Sequence, residues 1–171
     1  MKTNFTTEEQ FQREYETYTN VAFLRRGVII NEVIMLERIV DEILSTYFCG
    51  TTTKKQELME LIICTNRMIF ENKIQVLKVL LEKHKPDFLK TNPTIINDII
   101  NKIIVERNIF AHYWLVTSKE LSDFISKNQT VFIKFKNTTE YIYYDDEKFE
   151  TICHLIGKTI KTFIALQKED F

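Results

Sequence analysis

Between Val28 and Tyr47 the apolar residues Ile29, Val33, Leu36, Val40, Ile43 and Tyr47 recur at alternating steps of four and three, the spacing of one face of an α-helix. Ile30, Ile34, Ile39 and Leu44 widen that stripe, and Glu32, Glu37, Arg38, Asp41 and Glu42 keep the other side polar. The pattern predicts a helix central to a bundle, closed by Gly50 as C-cap and followed by a Thr51-Thr52-Thr53 loop. Upstream, Thr6 and Thr7 with Glu9 and Gln10 form overlapping capping boxes. They start a first helix near residue 7 with Phe11, Tyr15, Tyr18 and Ala22 on one face, and Gly27 is the point where that helix is expected to be interrupted or kinked.

Thr53 with Gln56 restarts a helix whose inner face is Leu58, Leu61 and Ile62, with a break near Thr65-Asn66. The stretch from Phe70 opens another, pointing Ile74, Leu77 and Leu81 inward and ending before Pro86. Asn92-Pro93 reads as an N-cap followed by proline at the first helical position. That helix runs through Ile96, Ile99, Ile100, Ile103 and Ile104 and ends between Trp114 and Val116; Ser118 is a candidate cap for a short helix carrying Leu121, Phe124 and Ile125. The period then changes to two. Val131, Ile133 and Phe135 alternate with Phe132, Lys134 and Lys136, and the β-formers Tyr141 to Tyr144 follow Asn137-Thr138-Thr139, which predicts a hairpin over about 130–145. Asp145 or Asp146 caps a last helix with Phe149, Ile152, Ile156, Ile160 and Phe163 on its core face. The expected class is all-α: one domain over 1–171, a bundle of about five to six helices with a small β-hairpin inserted before the last.

Composition changes this picture little. Two prolines and three glycines in 171 residues are too few for a turn-rich β protein, and 44% hydrophobic with 27% charged residues excludes a disordered chain. A net charge of −1 supplies no global basic field, so a nucleic-acid contact needs a local positive patch, such as one assembled from two copies. Cys49, Cys64 and Cys153 lack motif spacing and read as reduced and mostly buried. The first residues lack the apolar core of a targeting segment, and no apolar run reaches the roughly 18 residues of a membrane span, so a soluble cytoplasmic protein with no membrane association is expected.

Chemistry concentrates in Glu106-Arg107-Asn108-Ile109-Phe110-Ala111-His112-Tyr113-Trp114. At ~100° per residue, Ile96, Ile100, Ile103, Arg107, Phe110 and Trp114 fall on one stripe, so Arg107 takes a place reserved for an apolar side chain. Asn108 lies ~100° and His112 ~140° round from it, and Asn108 and His112 are neighbours four apart. Ala111 leaves space between them. Histidine exchanges a proton near neutral pH. Arginine offers fixed donors to a phosphate and stabilises the added charge of a phosphorane. Asparagine orients the histidine or bonds a ribose hydroxyl. Together they suit cleavage of RNA by its own 2′-hydroxyl, which needs acid-base help but no metal. The structural alternative stands beside it: Arg107 bonded to carbonyls or a carboxylate, and His112 settled at a helix C-terminus.

Arg107-Asn108-Ile109-Phe110-Ala111-His112, written R-N-x-x-A-H, resembles the signature of the HEPN superfamily, all-α bundles with R-x4-6-H on a late helix and a polar residue after the arginine. The long second helix and the Phe70–Leu81 helix extend the likeness over most of the chain. The resemblance implies a homodimer whose two motif helices meet in one composite, metal-independent ribonuclease site. In it His112 is the acid/base, Arg107 holds the phosphate and Asn108 supports both, with RNA as substrate and no cofactor. It also implies a toxin or antiviral defence role, with an antitoxin or regulatory protein as a further partner. Some members pair with a nucleotidyltransferase antitoxin that modifies a tyrosine two residues after the histidine. This chain has Trp114 there and its tyrosine at 113, a departure that bears on that form of regulation. Other members are non-catalytic modules that bind a protein or nucleotide.

Remaining constellations point to structure. Cys153-His154, Cys49, Cys64 and His84 lack zinc spacing, the glycines stand alone, and Asp145-Asp146-Glu147 reads as a helix cap. The hairpin tyrosines have two readings, as a cover on the bundle or as a surface for stacking bases.

Overall fold

A computed structural model describes residues 8–50, 52–65, 67–116, 128–135 and 138–168. The fold is mainly α, with a small antiparallel sheet before the last helix, as the periodicities predict. The chain divides into two compact units, Met1–Asn31 with Glu106–His154 and Glu32–Val105 with Leu155–Phe171.

Helix α1 runs without interruption over Glu8–Cys49. Gly27 does not break it, because the apolar stripe continues in one phase through Tyr18, Ala22, Ile29, Val33, Leu36, Val40 and Ile43, all buried, and outweighs the ~1 kcal/mol cost of a single glycine. The capping pair Thr6 and Thr7 lies outside the described residues. Gly50 closes the helix at φ +58°, its N–H donating to the Thr46 carbonyl at 2.8 Å.

In the second unit, α2 (Thr53–Leu58) passes into a π-helical turn, Met59–Ile63. The wider turn rotates the buried face, so Ile63 is inside while Leu61 and Ile62, expected inside, are exposed. The chain bends at Thr65 as expected, and α3 (Phe70–His84) buries Ile74, Leu77 and Leu81. Pro86 then opens α4 (Pro86–Thr91), a helix not foreseen from the sequence. Asn92 closes α4 by donating from its side chain to the Phe88 carbonyl at 3.0 Å, so the next helix, α5 (Ile95–Asp98), begins two residues later than the Asn92-Pro93 signal. A second π turn, Ile99–Ile103, joins α5 to α6 (Ile104–His112). Lys73 is 2% exposed, donating to Glu37 Oε1 at 2.6 Å and to Asp41 Oδ2 at 3.1 Å. Burial pulls its ammonium down, but the bonds and charges of Asp41 and Glu37 outweigh that and raise its pKa.

In the first unit, strands β1 (Trp114–Leu115), β2 (Thr130–Phe135) and β3 (Thr139–Tyr144) form an antiparallel sheet in that order. The predicted hairpin is therefore β2–β3, with β1 added where the sequence suggested helix. Its register pairs Trp114 with Ile133, and Ile133 with Tyr141. The Ser118–Ile125 helix falls outside the described residues. Asp145 caps α7 (Asp146–Gln167), accepting from the Lys148 N–H at 2.8 Å. Phe110, Phe132 and Tyr144 meet in a fully buried aromatic cluster, with Phe110 4.7 Å from Tyr144 and 5.0 Å from Phe132 between ring centres. A second cluster joins Tyr18, Val116 and Val131.

The cysteines differ from expectation. None is buried, and Cys64 is exposed, because the π turn before it carries it to the surface. No described helix is long and apolar enough to cross a membrane.

Candidate active site

Phe110 anchors the motif. Its ring sits in the aromatic cluster of the sheet, and Ile109 beside it is buried too, while Asn108 and His112 on the same helix are exposed. Two polar contacts fix the same segment. The Tyr144 hydroxyl donates to Glu106 Oε2 at 2.5 Å, and burial, then this bond and the Glu106 charge, push the phenol pKa up so that it remains a donor. Beyond the helix, Arg26 Nη2 donates to the Tyr113 carbonyl at 2.9 Å, and its guanidinium lies 5.3 Å from the Phe132 ring centre. Lys134 Nζ stands 5.8 Å from the centre of the Tyr113 ring.

Within that frame Arg107 is half-buried, and Asn108 and His112 are exposed. Arg107 Nη1 donates to Asn108 Oδ1 at 2.9 Å, so the asparagine orients the arginine. His112 is the last residue of α6, one turn beyond Asn108, and its side chain has no hydrogen-bond partner among the described residues. Arg107 and Asn108 are thus in contact, while His112 shares their helix end without touching them through a hydrogen bond. Half-burial of Arg107 follows from its place beside the apolar stripe. Trp114 leaves that stripe altogether: the helix stops at His112, and Trp114 enters β1 with 71% of its surface exposed.

Chemically, an exposed imidazole can take or give a proton to a bound substrate. A guanidinium held by a neutral amide oxygen keeps its full charge for an anion. Neither an acidic partner nor a backbone carbonyl of the described residues engages Arg107.

Sequence reasoning missed the residues that hold this site. Glu106, Tyr144 and Arg26 act through contacts distant in sequence, which no local pattern announces. Arg25 was detectable: with Tyr18, Ala22 and Ile29 it sits on the α1 stripe at steps of four, three and four. It is 5% exposed, and Nη1 donates to Thr130 Oγ1 at 2.8 Å and to the Tyr144 carbonyl at 3.0 Å. Nη2 forms an ion pair with Asp146, and the guanidinium lies 5.3 Å from the Phe149 ring centre.

No protein-family model, curated protein or solved structure matches this chain.

Proposed function

We propose that the chain is a metal-independent endoribonuclease that acts as a homodimer, with Arg107, Asn108 and His112 of two copies forming one site. The observation that carries this reading is an arginine oriented by the next residue's amide oxygen, with no carboxylate or backbone-carbonyl partner among the described residues, five positions before an exposed histidine on the same helix. In the reaction the 2′-oxygen of a ribose attacks the adjacent phosphorus and the bond to the 5′-oxygen breaks. One His112 takes the 2′-hydroxyl proton, and the partner's His112 protonates the departing 5′-oxygen. Arg107 stabilises the charge that builds on the phosphorus oxygens. The products are a 2′,3′-cyclic phosphate and a 5′-hydroxyl end.

A surface for the second copy is available on α1. Phe23 and Leu24 are 57% and 70% exposed, Val28 is exposed, and apart from the helix's own backbone and its chain neighbours nothing comes within 4 Å of where a Cβ on Gly27 would stand. A helix apolar on both faces is normally covered on both. This face carries no charge that would meet its like across a two-fold axis, and Arg26 on the same turns reaches the Tyr113 carbonyl beside His112. A toxin or antiviral effector, restrained by an antitoxin or regulatory protein in the cytoplasm, fits an enzyme of this kind.

The test is cleavage of single-stranded and structured RNA in EDTA by wild type, His112→Ala and Leu24→Glu. Wild type is expected to release cyclic-phosphate ends. His112→Ala is expected to lose at least about 100-fold in rate, and Leu24→Glu to sediment as a monomer and lose cleavage with it. Activity that requires a divalent ion, or that survives His112→Ala, would overturn the mechanism. A folded dimer without cleavage would make the chain a non-catalytic module binding a protein or nucleotide.

A further inference from the structure

The sheet that begins two residues after His112 has one face made of rings. Paired residues of an antiparallel sheet point to the same side, and alternate residues of a strand share a side. The register therefore places Trp114, Ile133, Phe135, Tyr141, Tyr143 and Thr139 together, with Val131 at the end covered by Tyr18. Four of these are aromatic and open to solvent: Trp114 at 71%, Phe135 at 60%, Tyr143 at 42% and Tyr141 at 36%. Trp114 and Phe135 meet edge to face, 5.7 Å between ring centres and 86° between planes. The opposite side of the same sheet carries Phe132 and Tyr144 into the core. The exposed rings are thus not needed to fill the interior.

Two features select the occupant. The face carries no carboxylate, and its first strand begins two residues after His112, so it does not repel a polyanion held at that histidine. Its exposed apolar surface is made mostly of flat rings, and ring faces accept any base. We infer that this sheet face is a stacking platform for unpaired nucleobases of the RNA substrate, with Trp114 taking the base next to the scissile phosphate. Trp114 follows His112 by two residues, which limits their Cα separation to about 7.6 Å. A base stacked on Trp114 consequently holds its own phosphate within reach of the histidine. The assignment rests on the ribonuclease reading and deepens it: the substrate is single-stranded at the cleavage point, because a paired base would first have to be unpaired and unstacked at a cost of a few kcal/mol.

Trp114 is the single tryptophan of the chain, so its fluorescence reports the platform directly. The probe is a 2′-O-methyl oligonucleotide, which lacks the attacking hydroxyl, titrated as a single strand and as a duplex into the full-length protein. The single strand is expected to quench the emission saturably and the duplex to leave it near its starting value. Trp114→Ala is expected to weaken binding of the single strand, followed by anisotropy of a labelled strand, about tenfold. Trp114→Phe, which keeps a ring, restores most of that affinity. With cleavable RNA the same two variants are expected to change KM more than kcat. Equal quenching by duplex and single strand, or none by either, overturns the platform. So does protection of Trp114 from acrylamide quenching in the RNA-free dimer, which would mean that a second copy covers the face. Quenching is independent of turnover: a platform that binds with no cleavage by wild type would refute the ribonuclease, and cleavage with no quenching would refute the platform alone.

Discussion

Arg25 and Arg107 occupy comparable places, each a cation at or beside an apolar stripe of a helix, yet their surroundings are opposite. Arg25 is enclosed, and its donors go to Thr130, the Tyr144 carbonyl and Asp146, tying α1 to the sheet and to the start of α7. Arg107 is half-buried, and its bond to a side chain goes to its own neighbour, Asn108. An arginine whose donors are taken up by separate elements is part of the scaffold. One oriented by an adjacent amide on an otherwise anchored helix has its charge available. The contrast is what favours the chemical reading of Arg107 in the proposed mechanism over the structural one that its spacing equally allows.

Removing each cation in turn tests this contrast. The largest loss of stability is expected where a buried cation serves two carboxylates. Lys73→Met strands Asp41 and Glu37 and is expected to cost about 4 kcal/mol in urea unfolding. The same residue gives a pH signature. Its folded pKa is raised, so its contribution is complete below the unfolded value of about 10.4 and is lost as pH rises through the folded one. Wild type should lose stability in that alkaline window by more than Lys73→Met does, and parallel pH profiles of the two would contradict the assigned direction.

Arg25→Ala should come next, at about 3 kcal/mol, because Thr130, the Tyr144 carbonyl and Asp146 lose their shared donor. A loss below about 0.5 kcal/mol, the range of ordinary surface changes, would erase the distinction between the two arginines. Tyr144→Phe removes the bond to Glu106 but keeps the ring in its cluster, so the expected cost is smaller, about 1.5 kcal/mol. Under the proposed mechanism cleavage should fall modestly in that variant, since the Tyr144–Glu106 bond holds the motif helix and Glu106 has no assigned step in the reaction.

The legible parts of the fold were those set by local periodicity. The α1 stripe, the inward face of α3, the end of that helix before Pro86, the Asp145 cap and the β2–β3 hairpin all appear where alternation or capping placed them. What escaped was set by geometry that sequence period does not encode. The π turns at Met59–Ile63 and Ile99–Ile103 shift helical phase, which exposes Leu61 and Ile62. Trp114 was read as the last residue of a helical stripe. It became a strand because Ile133 and Phe132 offered backbone partners from nearly twenty residues downstream. Within the site, residue types and order were readable from Arg107 to His112, but the Arg107–Asn108 contact and the anchors Tyr144 and Arg26 depend on tertiary packing. Arg25 lay in plain view on its stripe, and only its partners, from residues 130 to 146, explain it.

The smallest stability change is expected at Arg107, the residue to which the proposed mechanism gives the largest chemical role. Arg107→Ala, measured on one preparation for urea midpoint and for RNA cleavage in EDTA, is the most direct test of a charge held free for substrate. The expected result is stability within about 0.5 kcal/mol of wild type together with a rate at least about 100-fold lower. A destabilisation comparable to that of Arg25→Ala, or cleavage at the wild-type rate, would contradict it.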